Sequence, residues 1–177
     1  PIINVSGFMT KIGASITNKN SVKAANEIFG LFVNIDELQT LASKRISKCF
    51  GSEAALITAS AAGGLTECVA GMMTGSDLKK VYNLPNTKDM KNKVLIQKGH
   101  LTNYGAEVSQ GILFSGAKIL RCGSQKSCSS DDLEKTIFKN KNKISCAMYV
   151  VSHHCSDYDS VILNKFIAIC KKYKIPT

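Results

Sequence analysis

Apolar residues recur at helical spacing in several parts of the chain. Within residues 36–49 the apolar positions fall on one face, which predicts an amphipathic helix, and Gly51 follows where a C-terminal glycine stop belongs. These positions are Leu38, Leu41, Ala42 and Ile46. Residues 65–73 are apolar almost all round, which predicts a buried helix. Further helices are predicted over residues 104–115, 133–138 and 159–173, the second of them after an N-cap near Ser129.

Short apolar runs alternate with these helices. They cover residues 54–58, 93–97, 118–122 and 144–151. This alternation predicts an α/β protein of three layers, in which helices cover both faces of a mostly parallel sheet. Residues 75–93 are polar and contain Pro85, which predicts loop for much of this segment. Residues 174–177 follow the last helix where a further parallel strand is expected, so we expect the sheet to be incomplete at its C-terminal end.

The composition narrows the class of protein. Of the 177 residues 44% are hydrophobic and 20% are charged, which is typical of a globular domain. No apolar run approaches the roughly 18 residues of a membrane span. The first residues lack the basic, then apolar, then small-residue order of a signal peptide. We therefore expect a cytoplasmic protein that does not enter a membrane.

The distribution of charge and the spacing of the cysteines bear on nucleic-acid binding, disulfides and metal sites. The net charge is +10, but the lysines stand in short scattered groups without interleaved arginine and aromatic residues. This favours a solvated surface, although the field of a basic protein can still attract an anionic substrate or tRNA. The seven cysteines include no CxxC pair and lie mostly in apolar segments. We interpret them as reduced thiols and predict no metal site.

The clearest chemical signal is the small-residue turn TASAAGG at residues 58–64. A strand that runs into such a turn and then into a helix directs free backbone N–H groups and the positive helix end at one point. Ser60 adds a hydroxyl donor, so the turn favours a phosphate group. The alternative is a packing turn that needs small residues for steric reasons. The turn matches neither GxGxxG nor GxxxxGK[ST], which disfavours a dinucleotide or a nucleoside triphosphate.

Five segments in chain order resemble a known family. They are PIINVSGFMT (1–10), IDELQ (35–39), FGSEAALIT (50–58), GHLTNY (99–104) and VSHHCSDY (151–158). Together they resemble the selenocysteine-synthase-like family of enzymes that depend on pyridoxal 5'-phosphate (PLP), which includes bacterial selenocysteine synthase and the D-glucosaminate-6-phosphate ammonia-lyase group. The resemblance implies the PLP-dependent transferase fold of the aminotransferase superfamily. It assigns residues 1–35 to a segment near the active site and dimer interface, and residues 36–177 to the N-terminal portion of the large PLP-binding domain.

The resemblance also implies roles for individual residues. Ser60, Ala61 and Ala62 match the positions that hold the cofactor phosphate. His100 matches the position whose side chain stacks on the pyridine ring, and His154 matches a histidine near the cofactor. The alternatives are a histidine that anchors a loop, for His100, and a strand-end histidine bonded to the backbone, for His154.

Two departures from the family pattern affect this site. Ser60 replaces a glycine, which adds a hydroxyl to the phosphate turn, and Asp157 replaces an asparagine. Because Asp157 would place a negative charge near an anionic cofactor, we expect its side chain to point away.

The catalytic residues of the family are expected elsewhere. Such enzymes hold PLP as a Schiff base with a lysine and pair the pyridine nitrogen with an aspartate. The resemblance places both beyond Thr177. Lys93, Lys98 and Lys118 flank predicted strands and do not match the expected lysine, so we expect these 177 residues alone to be inactive.

The resemblance implies a PLP-dependent enzyme that acts on a small amino-acid-type substrate by lyase or transferase chemistry at the α or β carbon. It also implies a homodimer or a higher homo-oligomer. One alternative is a tRNA-dependent selenium transferase, which is disfavoured because the additional N-terminal region of such enzymes does not precede the opening motif. Another is a non-catalytic homologue or binding subunit.

Overall fold

The computed structural model describes residues 2–5 and 7–177, so Pro1 and Ser6 of the predicted opening motif lie outside the described residues. The chain forms two compact units, of which the first ends at Ile57 and the second is Thr58–Thr177. The predicted division at residue 35 concerns a functional boundary and stays a prediction.

The first unit contains two helices, α1 (Lys19–Phe29) and α2 (Ile35–Phe50). The side chains of Asn18 and Asn34 cap their N-termini. Helix α2 matches the predicted helix, whereas α1 was not predicted. None of the described residues before Thr58 is buried, so the apolar faces of both helices are at most partly covered.

Residues 54–58 do not form the predicted strand. They belong to no strand in the structure, and Leu56 and Ile57 are 60% and 55% exposed. A strand requires a hydrogen-bonded neighbour, and the described residues provide none for this segment. The segment is instead held by the Gln39 side chain, which donates to the Ile57 carbonyl at 2.8 Å.

The second unit is built on a parallel sheet of three strands in the order β2-β1-β3. The strands are β1 (Lys93–Gln97), β2 (Lys118–Cys122) and β3 (Ile144–Met148). Strands β1 and β2 agree with the predicted bounds. Strand β3 ends earlier than predicted, because the N–H of Val150 donates to the His100 side chain instead of to a neighbouring strand.

Five helices accompany the sheet in the second unit: α3 (Ala61–Thr74), α4 (Leu78–Asn83), α5 (Val108–Phe114), α6 (Ser130–Asn140) and α7 (Leu163–Lys172). Helix α4 lies in the segment predicted as loop, where Asp77 caps it by accepting from two backbone N–H groups. Helix α5 begins later than predicted, and residues 101–107 form a loop. Helix α6 begins with the expected cap at Ser129, which with Asp132 completes a capping box.

Two apolar clusters confirm the predicted three layers. On one face of the sheet, Leu95 and Ala147 pack with residues of α6 and α7, among them Leu133 and the fully buried Phe166. On the other face, Val94, Ile96 and Cys146 pack with residues of α3 and α5, which are Val69, Met73, Val108 and Ile112. The side chains of each strand therefore alternate between two covered faces, as a doubly covered parallel sheet requires.

The residues after α7 lie beside β3. The N–H of Ala147 donates to the Pro176 carbonyl at 2.8 Å, and Ile175 is buried in the cluster with Phe166. This hydrogen bond joins residues 175–176 to β3, the strand next to which the sequence predicts a further one.

Candidate active site

The strand order defines a crevice at one edge of the sheet. The chain passes from β1 to β2 on one side and then crosses to β3 on the other side of β1. In open parallel sheets, ligands bind beyond the carboxyl ends of the strands where the order reverses in this way. The segments that leave β1 and β3 carry His100 and His154, so both predicted histidines follow the strands that flank this point.

The predicted phosphate turn forms the N-terminus of α3. The Ser60 hydroxyl accepts from the N–H of Gly63 at 3.0 Å and caps the helix. Ala61 and Ala62 are the first two helical residues, so their N–H groups have no acceptor within the helix. Both residues are exposed, and no hydrogen bond from either N–H is recorded within the second unit. Two free donors at the positive helix end, with only methyl side chains beside them, fit a phosphate group.

His100 is buried in the segment that follows β1, with an exposed fraction of 1%. Its Nδ1 accepts the backbone N–H of Val150 at 3.2 Å, and its ring meets the Tyr149 ring edge-on at 4.4 Å between centroids. Burial lowers the pKa of the imidazole, so the neutral ring with its proton on Nε2 suits these contacts. The geometry is that of the alternative role, the loop-anchoring histidine. Stacking on a cofactor stays a prediction, and it requires a movement that uncovers the ring.

His154 is exposed, unlike His100. It lies in a short 3₁₀ turn, His153–Cys155, that the Ser152 side chain caps at the N–H of His154. Its ring lies 5.2 Å from the Tyr104 ring and 4.0 Å from the His153 ring, between centroids. Its imidazole is therefore available to a ligand at this edge. The neighbouring Asp157 is also exposed, and its direction relative to a cofactor stays a prediction.

The predicted site residues lie on neighbouring elements of the second unit, and they do not contact one another there. Helix α3 packs on α5, where the Thr66 hydroxyl donates to the Gly111 carbonyl at 2.9 Å. The loop before α5 carries Tyr104, which contacts His154. The phosphate turn and His154 are thus linked through α5 and its preceding loop.

The residue that holds the strand-end loops together is Tyr158, the last residue of the family-like segment 151–158, for which the sequence favours a packing role over that of an active-site hydroxyl. Its ring lies against Gly99 so closely that a β-carbon there would overlap the ring, and its hydroxyl donates to the Ser124 carbonyl at 3.3 Å. Burial raises the pKa of Tyr158 to about 12, so the hydroxyl stays protonated and can donate. Glycine directly before His100 was the available signal, since a side chain at Gly99 would displace the tyrosine.

Sequence reasoning missed a second residue at this edge, Gln97. Its buried side chain accepts from the Val161 N–H at 2.8 Å and donates to the Val161 carbonyl at 3.3 Å. This pair ties the end of β1 to the segment before α7. An amide at the last position of an otherwise apolar strand was the signal in the sequence.

Five lysines lie together at the opposite edge of the sheet. A cleft of about 480 Å³ there is lined by Lys88, Lys91, Lys93, Lys118 and Lys143, together with Asp89. Lys93 and Lys118 begin β1 and β2, so neither is at the carboxyl edge that carries the histidines. That neither of them is the cofactor lysine stays a prediction.

The fold is a part of the PLP-dependent transferase fold. A solved structure of D-glucosaminate-6-phosphate ammonia-lyase superposes with a TM-score of 0.90 and 29% sequence identity, covering 96% of this chain and 45% of that one.

Sequence comparison gives the same relative. D-glucosaminate-6-phosphate ammonia lyase of Salmonella typhimurium is 30% identical over 175 residues, or 99% of this chain and 47% of the relative. A 5'-C-glycyluridine monooxygenase-decarboxylase of a Streptomyces species is 24% identical over 99% of this chain and 44% of its own length.

These similarities confirm the predicted resemblance: the chain is a homologue, over almost its whole length, of part of D-glucosaminate-6-phosphate ammonia lyase. The chain spans about half the length of the curated relatives that it matches. No protein-family model matches it. Among the described residues, no helix has the length and apolar character needed to cross a membrane.

We predict that Gly99→Ala destabilises the second unit, because the new methyl group overlaps the Tyr158 ring. Overpacking of this kind typically lowers the free energy of unfolding by about 1–3 kcal/mol. Denaturant titration measures the loss. In a Tyr158→Ala background the same substitution should cost much less, since the ring is gone.

The matched control for Gly99→Ala is Gly71→Ala, which lies in α3 with nothing within 4 Å of the added carbon. It should be neutral or stabilising, because alanine favours a helix by about 1 kcal/mol over glycine. Equal effects of the two substitutions, or an equal cost of Gly99→Ala with and without the Tyr158 ring, would contradict the packing argument.

A second prediction concerns pH. The folded-state pKa of His100 lies below its ordinary 6.5, so as the pH falls through about 6.5 the unfolded chain takes up a proton first. The contribution to stability is therefore complete above about pH 6.5 and is lost between that value and the lower folded-state pKa. The added slope is at most about 1.4 kcal/mol per pH unit.

Unfolding titrations across this range test the pH dependence. His100→Asn keeps an acceptor for Val150 and should remove this part of the slope, whereas His153→Asn changes an exposed imidazole and should preserve it. A wild-type slope that persists in the His100→Asn variant would exclude His100 as its source.

Proposed function

We propose that this chain is the phosphate-binding portion of a PLP-dependent enzyme, a lyase that acts on a small amino-acid-type substrate. The observation that carries the proposal is the exposed N-terminus of α3, where the N–H groups of Ala61 and Ala62 make no hydrogen bond to any described residue of the second unit. The resemblance assigns the cofactor phosphate to these same residues. The similarity to an ammonia lyase over 99% of the chain supports the choice of lyase chemistry.

The residues of this chain would act in binding and orientation. The two free N–H groups and the helix dipole hold the phosphate, and the Ser60 hydroxyl can donate to it while accepting from Gly63. Bound PLP would supply an electron sink for the α-carbon of the substrate. His154 would lie at the open side of the crevice, where its exposed imidazole can meet the cofactor or the substrate. His100, if its ring is uncovered, would contact the pyridine ring.

The names of the relatives suggest the class of substrate. D-glucosaminate 6-phosphate is a phosphorylated amino sugar acid, that is, an amino acid derived from a sugar. The second relative is named for a glycyl group. We therefore propose a small amino-acid-type substrate, and favour elimination of ammonia from a phosphorylated one. A tRNA-dependent selenium transferase is the alternative, for which salt-dependent binding of tRNA in a gel shift would be the sign.

Covalent attachment of PLP tests the proposal. The full-length protein that contains this chain should bind PLP, and borohydride should fix the cofactor to a lysine that lies outside these 177 residues. Peptide mapping by mass spectrometry locates the modified lysine. Attachment to Lys93, Lys98, Lys118 or another lysine of this chain, or no binding of PLP at all, would contradict the proposal.

Ser60 variants extend the same measurement to the phosphate turn. Ser60→Ala should weaken PLP binding roughly tenfold or more, since it removes a hydrogen bond to a charged group. Ser60→Thr keeps a hydroxyl that both caps the helix and donates, so it should bind nearly as well. Ser76→Ala, an exposed change beyond the other end of α3, should have no effect. Equal affinities for the alanine and threonine variants would remove Ser60 from the site.

A homodimer or a higher homo-oligomer is part of the proposal. The first unit leaves large apolar side chains uncovered, including Ile16 at 100% and Phe32 at 111% exposure. Exposed apolar surface on this scale marks an interaction site, and we propose a second copy of the protein as its occupant.

Sedimentation of the full-length protein should show at least a dimer. A Leu31→Ser/Phe32→Ser double variant should weaken the assembly, whereas Tyr82→Ser, which alters a similarly exposed aromatic side chain of the second unit, should leave it intact. A monomeric wild-type protein would contradict this part of the proposal.

A further inference from the structure

Two thiols meet beneath the loop that leaves β2. The Sγ atoms of Cys122 and Cys128 lie 3.3 Å apart, and the two residues are 1% and 4% exposed. Cys122 is the last residue of β2, and Cys128 precedes the Ser129 cap of α6. The contact therefore closes a short loop of residues 123–127.

The backbone on both sides of this loop holds the two sulfurs together. Gly123 adopts a left-handed conformation with φ +83°, and a β-carbon there would lie 2.7 Å from Cβ of Cys128. The N–H of Ser124 donates to the Ser127 carbonyl at 2.7 Å, which closes the turn. The N–H of Cys128 donates to the Asp159 carbonyl at 2.8 Å, which fixes the far end of the loop.

The two thiols differ in acidity. The hydrogen bond with Cys128 is the largest cause that lowers the pKa of Cys122, and it outweighs the opposing effect of burial; the Thr136 side chain and the Gly123 N–H act in the same direction as this bond. The pKa of Cys128 is raised, because the hydrogen bond with Cys122 and burial both favour its protonated form. Cys122 is thus the better nucleophile, and Cys128 is the neighbour that can resolve it.

We propose that Cys122 and Cys128 form a redox-modification site, at which a small two-electron oxidant such as hydrogen peroxide closes a reversible intramolecular disulfide. The sulfurs must approach from 3.3 Å to the bond length of about 2.05 Å. Residues 124–126 of the connecting loop are exposed, so local movement there can accommodate this shift and admit the oxidant.

The chemistry balances in two steps. The thiolate of Cys122 attacks one peroxide oxygen, so that an S–O bond forms, the O–O bond breaks and the leaving hydroxide takes up the Cys122 proton as water. The sulfur of Cys128 then attacks the sulfenic acid, so that the S–S bond forms and the S–O bond breaks. The second hydroxide leaves as water with the Cys128 proton. The two sulfurs together lose two electrons, and the peroxide gains the same two electrons.

The other cysteines differ from this pair. Cys49 and Cys68 are exposed, and Cys146, Cys155 and Cys170 are buried or half-buried. No other two cysteine sulfurs make a hydrogen-bonding contact, and all seven cysteines are among the described residues. A disulfide within one chain is therefore expected at Cys122 and Cys128.

The test uses a Cys49→Ser/Cys68→Ser background, which removes the exposed thiols. Hydrogen peroxide should consume two thiols per chain and remove two hydrogens from the intact mass, and dithiothreitol should restore both. Because trypsin cleaves after Arg121 and Lys126, a non-reducing digest should join the peptide with Cys122 to the peptide with Cys128.

Single substitutions complete the experiment. Cys122→Ser and Cys128→Ser should each abolish the joined peptide, whereas Cys170→Ser, which alters another buried thiol of the same apolar cluster, should preserve it. The proposal is overturned if the thiol count of the background protein stays constant, if the joined peptides carry other cysteines, or if both sulfurs are instead oxidised to sulfinic acids. The measurement on the background protein stands even if a serine variant fails to fold.

Discussion

The ring of Tyr158 over Gly99 is the contact on which the candidate site depends. It joins the segments that leave all three strands: Gly99 follows β1, the Ser124 carbonyl that accepts from the tyrosine follows β2, and Tyr158 itself follows β3. A side chain at Gly99 would separate these segments. The contact therefore makes three loops one structure, so the crevice at the carboxyl edge has defined walls before any ligand arrives.

Two polar side chains also fix these segments, through hydrogen bonds to the backbone. Gln97 holds both backbone groups of Val161, and His100 accepts the N–H of the half-buried Val150. Because this bond gives a half-buried N–H its acceptor, it fixes the neutral imidazole in one orientation. The position of His154, four residues beyond Val150, follows from where this bond ends β3.

The layered fold could be predicted from the sequence because burial on both faces leaves a strong signal. The apolar runs of β1 and β2 and the cap of α6 give the same bounds in sequence and structure. The predictions that fail have a common cause: tertiary contacts decide the structure of those segments. Residues 54–58 have the apolar character of a strand but no neighbour, and residues 159–162 have helical spacing but are drawn into contacts with β1 and the Cys128 loop.

The candidate site was predictable only where its chemistry is local. A turn of tiny residues before a helix determines free N–H groups by itself, so the exposed helix start at Ala61 and Ala62 could be inferred from seven letters, whereas its role as a phosphate site stays a prediction. The roles of histidines cannot be inferred in this way, because exposure decides them: His100 and His154 both follow strands, yet one is 1% exposed and the other is open to solvent. The difference arises from Tyr149 and Tyr158, which surround the first ring and not the second. The predicted phosphate turn therefore follows more directly from the sequence than the histidine roles do. Of the two imidazoles, the structure leaves that of His154 exposed to a ligand.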